Sequence, residues 1–247
     1  MKTGKVILVG AGPGDPELIT IKGLRAIEQA DCILYDFLSP PELLKYAGKR
    51  HSEKTCEQIC VGKADGLHLK NQDEINQLLL EKVKEHQIVV RLKGGDPFLF
   101  SRGIEEARFL EEHHILFEVI PGITAAFAAA ETSGIPLTMK NKYSSVAVVT
   151  GRKHNPNAEI EAPDVSTIIY LMAVKNIKNV VKSLLNSGRS PDMACVFVEK
   201  VTRKDARIIY ATISTVEDQV KKEKVTPPAV LIVGKVIDHE LQQYKYK

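Results

Sequence analysis

Residues 6–16, Val-Ile-Leu-Val-Gly-Ala-Gly-Pro-Gly-Asp-Pro, decide how the chain begins to fold. Val6 to Val9 is a short, β-rich apolar run that ends at glycines, which predicts a buried strand. The apolar residues that follow recur every three positions: Leu18, Ile21, Leu24 and Ile27. This spacing predicts a helix from about Glu17. A strand, a glycine turn and a helix in this order are typical of an α/β unit.

The glycine turn matches a dinucleotide-binding loop only in part. The spacing G-x-G-x-x-G requires a third glycine at residue 15, where this chain has Asp15. Pro13 and Pro16 also remove two N–H donors from a turn that would hold a pyrophosphate. Asp36 closes the second strand, where a ribose-binding carboxylate would stand, but Asp15 at the helix start would repel phosphate. The turn therefore disfavours a nicotinamide-dependent dehydrogenase and favours close backbone approach to a ligand that is not strongly anionic.

Short apolar runs alternate with periodic helical segments along the rest of the chain. Strands are predicted at 32–35, 88–92, 117–120, 145–150, 167–171, 194–198, 206–211 and 229–233. Helices are predicted at about 73–85, with Asn71 as its cap, and at 103–113, 176–186 and 215–222. This order predicts an α/β protein with largely parallel sheets. The turn at 121–122 divides it into an N-terminal α/β domain, residues 1–120, and a C-terminal α/β domain, residues 121–247, with a ligand cleft between them.

Composition excludes several classes of protein. Of the 247 residues, 44% are apolar and 26% charged, which excludes a disordered tail, a collagen-like fibre and a disulfide-stapled scaffold. Lys plus Arg (34) minus Asp plus Glu (31) leaves +3, too small an excess to indicate a nucleic-acid binder. No apolar run reaches the roughly 18 to 20 residues that cross a bilayer, and the first apolar stretch is too short for a signal peptide. We expect a cytoplasmic protein with no nucleic-acid or membrane partner.

The cysteines give little reason to expect a metal. Only Cys56 and Cys60, among the four cysteines, are close in sequence, and a single C-x-x-x-C pair is weak evidence for a metal site. We expect reduced thiols and no bound metal.

Two further turns of small residues follow predicted strands. Residues 94–97, Gly-Gly-Asp-Pro, come after the strand at 88–92, and residues 121–126, Pro-Gly-Ile-Thr-Ala-Ala, come after the strand at 117–120. Ligands bind at the carboxyl edge of α/β sheets, and Asp96 offers a carboxylate for a cation such as a sulfonium or an ammonium. Each turn alone also fits a plain strand end, but three such turns on one edge predict a pocket.

Several short stretches of the chain form a set with a fixed order: VGAGPGDP (9–16), YD (35–36), VGK (61–63), RLKGGDPF (91–98), RG (102–103), EE (105–106), VIPGITA (119–125), GIPLT (134–138) and PPA (227–229). Their order and spacing are those of the tetrapyrrole methylases, which this chain resembles over about residues 4–238. The Gly-Asp-Pro turn is shared by the wider family, whereas the longer run at 91–98 is the specific part.

The resemblance implies a fold, a co-substrate and a reaction. The fold is that of the class III methyltransferases, a two-domain α/β homodimer distinct from the Rossmann-like enzymes. S-adenosylmethionine is expected in the cleft, with S-adenosylhomocysteine as product. Within the family the chain most resembles the members that methylate uroporphyrinogen III at carbons 2 and 7, giving precorrin-2 by way of precorrin-1.

The resemblance also assigns residues by matching position. The cofactor-binding set would be Pro13, Gly94, Gly95, Asp96, Leu99, Thr124, Ala125, Met172, Val201 and Ala229. Asp36 and Lys63 match the positions of a proton acceptor and a proton donor. Arg102, Glu105 and Met172 match residues that handle the substrate.

The chain departs from the family pattern in two places. Phe37 replaces the arginine that usually follows Tyr-Asp, and Leu171-Met172-Ala173 replaces the usual Tyr-Met-Gly. Two other functions therefore stay open: a methylase of the same fold acting on a later precorrin such as precorrin-4, and a non-catalytic tetrapyrrole sensor. The sequence leaves open whether the product would serve sirohaem, cobalamin, haem d1 or coenzyme F430 synthesis.

Overall fold

A computed structural model describes residues 4–49, 55–62, 70–153, 155, 158–239 and 241. The chain divides into two compact units, residues 1–124 and 125–247. Each unit contains one five-stranded sheet with helices, so the predicted α/β class is confirmed. The helices of the described residues include none that is long and apolar enough to cross a membrane.

The sheet of the first unit is entirely parallel, as predicted. Its strands are β1 (Lys5–Gly10), β2 (Cys32–Tyr35), β3 (Glu57–Cys60), β4 (Ile88–Lys93) and β5 (Leu116–Ile120). They pair in the order β3-β2-β4-β1-β5. Because all five strands run the same way, the loops that follow them leave from one edge.

Helices α1 (Ile21–Glu28), α2 (Gln72–Glu85) and α3 (Gly103–Glu112) cover this sheet. The predicted cap Asn71 is confirmed, because its side chain and that of Glu74 form a reciprocal capping box. The predicted helix start at Glu17 is wrong. Residues 16–18 form a separate 3-10 turn, and α1 begins only after Thr20, whose hydroxyl accepts from the Gly23 N–H.

The sheet of the second unit is mostly antiparallel, which corrects the prediction of largely parallel sheets. Its strands are β6 (Val146–Thr150), β7 (Thr167–Leu171), β8 (Ala194–Glu199), β9 (Arg207–Thr212) and β10 (Ala229–Val233), in the order β6-β7-β10-β8-β9. Only the β6–β7 pair is parallel. The seven residues 200–206 between β8 and β9 are too few for a parallel crossover, so those strands form a hairpin.

The helices of the second unit are α4 (Ala125–Ser133), α5 (Ile177–Asn186) and α6 (Val216–Lys222). The α5 stripe of Ile177, Val180 and Leu184 packs into the core with Tyr170 and Phe197 of the sheet. This packing holds the ends of β7 and β8 at fixed positions, and candidate site residues follow both strands.

Candidate functional site

Three loops of the first unit meet at the carboxyl edge of its sheet. They follow β1, β4 and β5, which lie side by side with β1 in the middle. A Cβ on Gly122 would lie 2.3 Å from the Gly95 carbonyl oxygen, and one on Gly10 would lie 2.5 Å from the Gly122 nitrogen. Only glycine allows such backbone contacts. The three small-residue turns that the sequence predicted on one edge therefore pack directly against one another.

Backbone hydrogen bonds join the first two loops. Ala11 N–H donates to the Lys93 carbonyl at 2.7 Å, and Gly12 and Gly95 donate to each other's carbonyls at 3.3 and 2.8 Å. The amides of Ala11 and Gly12 therefore donate to carbonyl groups of the protein, whereas in a nucleotide-binding loop such amides donate to a pyrophosphate. Gly95 has φ +70°, and a Cβ there would meet nothing within 4 Å. The loop presents bare backbone to open space, which suits a ligand that approaches closely.

Asp96 ties the second loop to the third. Its Oδ2 accepts from Gly122 N–H at 3.1 Å, and its Oδ1 accepts from Phe98 N–H at 2.9 Å. The sequence suggested that this carboxylate meets a cation, whereas the structure gives both oxygens backbone partners. Asp96 thus fixes the shape of the glycine edge.

A chain of buried charges begins at the same edge. Arg91, on β4 and 2% exposed, donates from Nη2 to Asp36 Oδ1 at 2.6 Å and from Nε to Glu106 Oε1 at 3.1 Å. Lys93, also buried, donates to the same Glu106 oxygen at 3.0 Å. Glu106 comes from α3 and is fully buried. Two cations and two carboxylates therefore form one neutral group, of which Asp36 is the most exposed member.

Burial and charge together set the ionisation of this group. Burial lowers the pKa of Lys93, and neighbouring Arg91 lowers it further, although Glu106 opposes both effects. Burial alone would raise the pKa of Glu106, but the Arg91 and Lys93 charges outweigh it and hold the pKa below its ordinary value. Glu106 is therefore a buried carboxylate that stays ionised at neutral pH.

Of the other three catalytic candidates, the described residues include Arg102 and Glu105. Lys63 falls outside the described residues. Arg102 and Glu105 stand at the start of α3, where Arg102 Nη2 and Glu105 Oε2 pair at 2.5 Å. Both side chains are about half exposed, and Arg102 has φ +50°. Non-glycine residues in this region of backbone space cluster at functional sites, so the conformation adds a structural reason to single out Arg102.

The remaining candidates of the first unit flank the glycine edge. Pro13 is half-buried beside Gly12, and Leu99 is half-buried in the loop after β4. A Cβ on Gly94 would lie 2.8 Å from Leu38 Cβ, so this position too is restricted to glycine. Thr124 is the last residue of the first unit and Ala125 the first of the second.

Three cofactor candidates share one edge of the second sheet. Met172 follows β7, Val201 follows β8, and Ala229 begins β10, which runs antiparallel to both. The register pairs Ala229 with Glu199 and Val230 with Leu171, so the ends of β7 and β8 and the start of β10 are neighbours. Met172 is exposed, while Val201 and Ala229 are buried. Positive φ angles occur here at Met172, Lys200 and Thr202, again marking a constrained edge.

A cluster of possible metal ligands lies at the opposite end of the first sheet. Ligand atoms of Cys32, Glu57 and His86 lie within 4.8 Å of one another. Glu57 already bonds His86 Nε2 and Lys82 Nζ, each at 3.0 Å. Burial raises the pKa of the Cys32 thiol to about 12, which keeps it protonated. Ordinary ion pairs and hydrogen bonds account for this cluster.

Comparison with known proteins now identifies the family. Residues 5–217 match the family described as Tetrapyrrole (Corrin/Porphyrin) Methylases. The chain belongs to this family. It is 48% identical over 241 residues to the uroporphyrinogen-III C-methyltransferase of Methanocaldococcus jannaschii, an alignment that covers 96% of this chain and 98% of that protein.

Solved structures of tetrapyrrole methylases have the same fold. A uroporphyrin-III C-methyl transferase from Thermus thermophilus, complexed with S-adenyl homocysteine, is 38% identical with a TM-score of 0.79, over 96% of this chain and all of that one. A cobalt precorrin-4 methyltransferase has a TM-score of 0.81 but only 29% identity, over 95% of this chain and 96% of that one. The α/β fold of this family, predicted from the resemblance, is confirmed.

Sequence reasoning singled out Asp36 of the buried charged group but missed Glu106. It singled out Glu105, whereas the neighbouring Glu106 is the fully buried carboxylate. The signal was present, because Glu106 shares a helical stripe with Gly103, Ala107 and Leu110. A glutamate on the buried stripe of a helix needs a buried cation as its partner. Arg91, which lies within the predicted strand at 88–92, could have been proposed as that partner.

Proposed function

We propose that the chain is an S-adenosylmethionine-dependent C-methyltransferase that methylates uroporphyrinogen III at carbons 2 and 7, giving precorrin-2 by way of precorrin-1. The identity of 48% to a named uroporphyrinogen-III C-methyltransferase, over nearly the whole of both chains, carries this proposal. S-adenosylhomocysteine would be the second product. The glycine edge supports the proposed binding of S-adenosylmethionine, because the bare backbone beside Gly95 suits a closely held ligand that is not strongly anionic.

The reaction requires that the ring carbon be aligned with the methyl group and that a proton acceptor be present, whereas the methyl group needs no further activation. S-adenosylmethionine supplies a methyl group already activated on a sulfonium, so the protein has chiefly to hold a ring carbon behind it. The C–S bond breaks as the new C–C bond forms, the sulfonium becomes a neutral thioether, and the macrocycle becomes cationic. Loss of one proton from the macrocycle returns its net charge to the starting value. We assign Asp36 as its acceptor, because this carboxylate reaches solvent on one side while Arg91 holds Oδ1 on the other.

The proposed cofactor residues form one group in each unit. In the first unit they are Pro13, Gly94, Gly95, Asp96, Leu99 and Thr124, which lie on or beside the glycine edge. In the second unit they are Ala125, Met172, Val201 and Ala229, of which the last three share a sheet edge. We propose that the residues of each group bind the cofactor, and that the protein acts as a homodimer. Lys63 is proposed as the proton donor.

Replacing Asp96 by alanine should weaken cofactor binding. The change removes both acceptors that join the loops after β4 and β5, at a cost of roughly 1–3 kcal/mol for the amides left without a partner. We expect the Kd for S-adenosylhomocysteine, measured by titration calorimetry, to rise about tenfold. Asp218→Asn, which alters an exposed carboxylate on α6, is the control. Unchanged affinity in the alanine variant would remove Asp96 from the cofactor site.

Replacing Arg102 by alanine should lower turnover more than cofactor affinity. Uroporphyrinogen III carries eight carboxylates, and the half-exposed Arg102 guanidinium can exchange its Glu105 partner for a substrate carboxylate. We expect kcat/KM for uroporphyrinogen III to fall by about 10- to 100-fold, as for loss of a charge-assisted hydrogen bond. The Kd for S-adenosylhomocysteine should change less than threefold. Equal losses in both quantities would contradict a substrate role for Arg102.

Separate assays with each precursor distinguish the alternative substrate. A later precorrin is less favoured, because the cobalt precorrin-4 methyltransferase shares 29% identity while the uroporphyrinogen-III relative shares 48%. Purified protein with labelled S-adenosylmethionine would be offered uroporphyrinogen III and precorrin-4 separately under anaerobic conditions. We expect label to enter only the first. Label in precorrin-4 alone would establish the alternative, and label in neither, with cofactor affinity intact, would favour a sensor.

A further inference from the structure

The guanidinium of Arg91 is held rigidly behind Asp36. Its Nη2 donates to Asp36, its Nε donates to Glu106, and its Nη1 donates to the Leu92 carbonyl at 3.2 Å. All three nitrogens thus have acceptors, and the side chain is 2% exposed. A planar guanidinium bound in this way transmits the position of Glu106 to Asp36.

Glu106 uses its two oxygens very unequally. Its Oε1 accepts from Arg91, from Lys93 and, at 3.2 Å, from Gln72 Nε2. Its Oε2 is buried and has no hydrogen-bond partner among the described residues. A buried polar atom without a partner costs stability, so a protein retains one where the charge itself is needed. The negative charge of Glu106 neutralises the two buried cations behind Asp36, Arg91 and Lys93.

We propose that Glu106 is a positioning residue that acts through Arg91 to keep the Asp36 carboxylate aimed and able to accept a proton. This inference rests on the proposed function, in which Asp36 takes the proton lost from the methylated macrocycle. With Glu106 ionised, the group of Asp36, Glu106, Arg91 and Lys93 is neutral before the transfer. Without the Glu106 charge, two buried cations face Asp36 alone. Excess positive charge favours the ionised form of a carboxylate, which makes it a weaker proton acceptor.

A charge-balance rescue separates this role from a purely structural one. Glu106→Gln keeps the shape but leaves one excess positive charge, and Lys93→Met added to it removes that excess. We expect kcat for methyl transfer to fall about 30-fold in Glu106→Gln and to recover about tenfold in the double variant. The Kd for S-adenosylhomocysteine should stay within threefold throughout. If Glu106 only fills space, the double variant will be no faster than Glu106→Gln, and the proposal is then wrong.

Two further variants keep the test decisive. Arg91→Lys retains the charge, but a lysine cannot reach Asp36 and Glu106 together. We therefore expect kcat to fall at least tenfold while the Kd for S-adenosylhomocysteine stays unchanged. A wild-type kcat in this variant would overturn the proposal even if Glu106→Gln failed to fold. Glu57→Gln is the matched control, because this glutamate pairs with Lys82 and His86 at the end of the first sheet opposite the glycine edge. It should lose stability while keeping kcat. Wild-type protein that transfers no methyl group would refute the proposed function instead, a result distinct from full activity in the variants.

Discussion

Replacing Asp36 by asparagine lowers kcat for methyl transfer to uroporphyrinogen III by about 10² to 10⁴, the range expected for loss of a positioned proton acceptor. Asparagine has nearly the same shape as aspartate, and its carbonyl oxygen can still accept from Arg91 Nη2. In the wild-type protein this nitrogen lies 2.6 Å from Asp36 Oδ1. The fold and the cofactor site should therefore be preserved. Single-turnover kinetics with labelled S-adenosylmethionine measure the loss directly.

Two controls make the Asp36 result specific. Asp218→Asn changes an exposed carboxylate on α6 of the second unit, and it should leave kcat unchanged. The Kd of the Asp36→Asn variant for S-adenosylhomocysteine should equal that of the wild type. A variant with at least half of the wild-type kcat would show that another group accepts the proton.

Replacing Glu106 by alanine produces the largest expected loss of stability. It leaves Arg91 and Lys93 buried with Asp36 as their only carboxylate in this group, and breaking a buried ion pair from one side costs about 3–5 kcal/mol. In a chain of this length the melting temperature should fall by about 10 °C or more. Thermal denaturation followed by circular dichroism measures the change.

Glu111→Ala provides the comparison on the same helix. Glu111 is exposed near the end of α3, so its removal should change the free energy of unfolding by no more than about 0.5 kcal/mol. Replacing the whole buried group with apolar residues, Arg91→Met, Lys93→Met and Glu106→Leu together, should recover much of the stability without recovering turnover. Equal melting temperatures for the two alanine variants would contradict the assignment of Glu106 as a buried, ionised carboxylate.

The glycine edge was predictable because its requirements are local. A short apolar run that ends in glycine or Gly-Asp-Pro already marks a strand end and a turn, and parallel strands place such turns on one edge. The contacts among Gly10, Gly95 and Gly122 follow from that topology. The use of both Asp96 oxygens by backbone amides did not follow, because it depends on how closely the loops after β4 and β5 approach.

Errors arose where structure depends on distant partners. Helix α4 (Ala125–Ser133) was not predicted, since its alanines are buried on nearly all sides and give no amphipathic period. Strand β3 (Glu57–Cys60) was missed because its four residues, with Glu57 and Gln58, lack an apolar run. The Asp36–Arg91–Glu106 chain joins β2, β4 and α3, so it required the sheet order as well as the helix phase.

The number of methyl groups added to uroporphyrinogen III tests the central claim most directly. The protein would be incubated anaerobically with uroporphyrinogen III and ¹³C-methyl S-adenosylmethionine, and the product analysed by mass spectrometry and ¹³C NMR. Two labelled methyl groups, at carbons 2 and 7, are predicted; they would also show that Phe37 and Leu171 are compatible with both transfers. A product with one methyl group would contradict the assignment of precorrin-2 as product, and no transfer by protein that binds S-adenosylhomocysteine would contradict the proposed substrate itself.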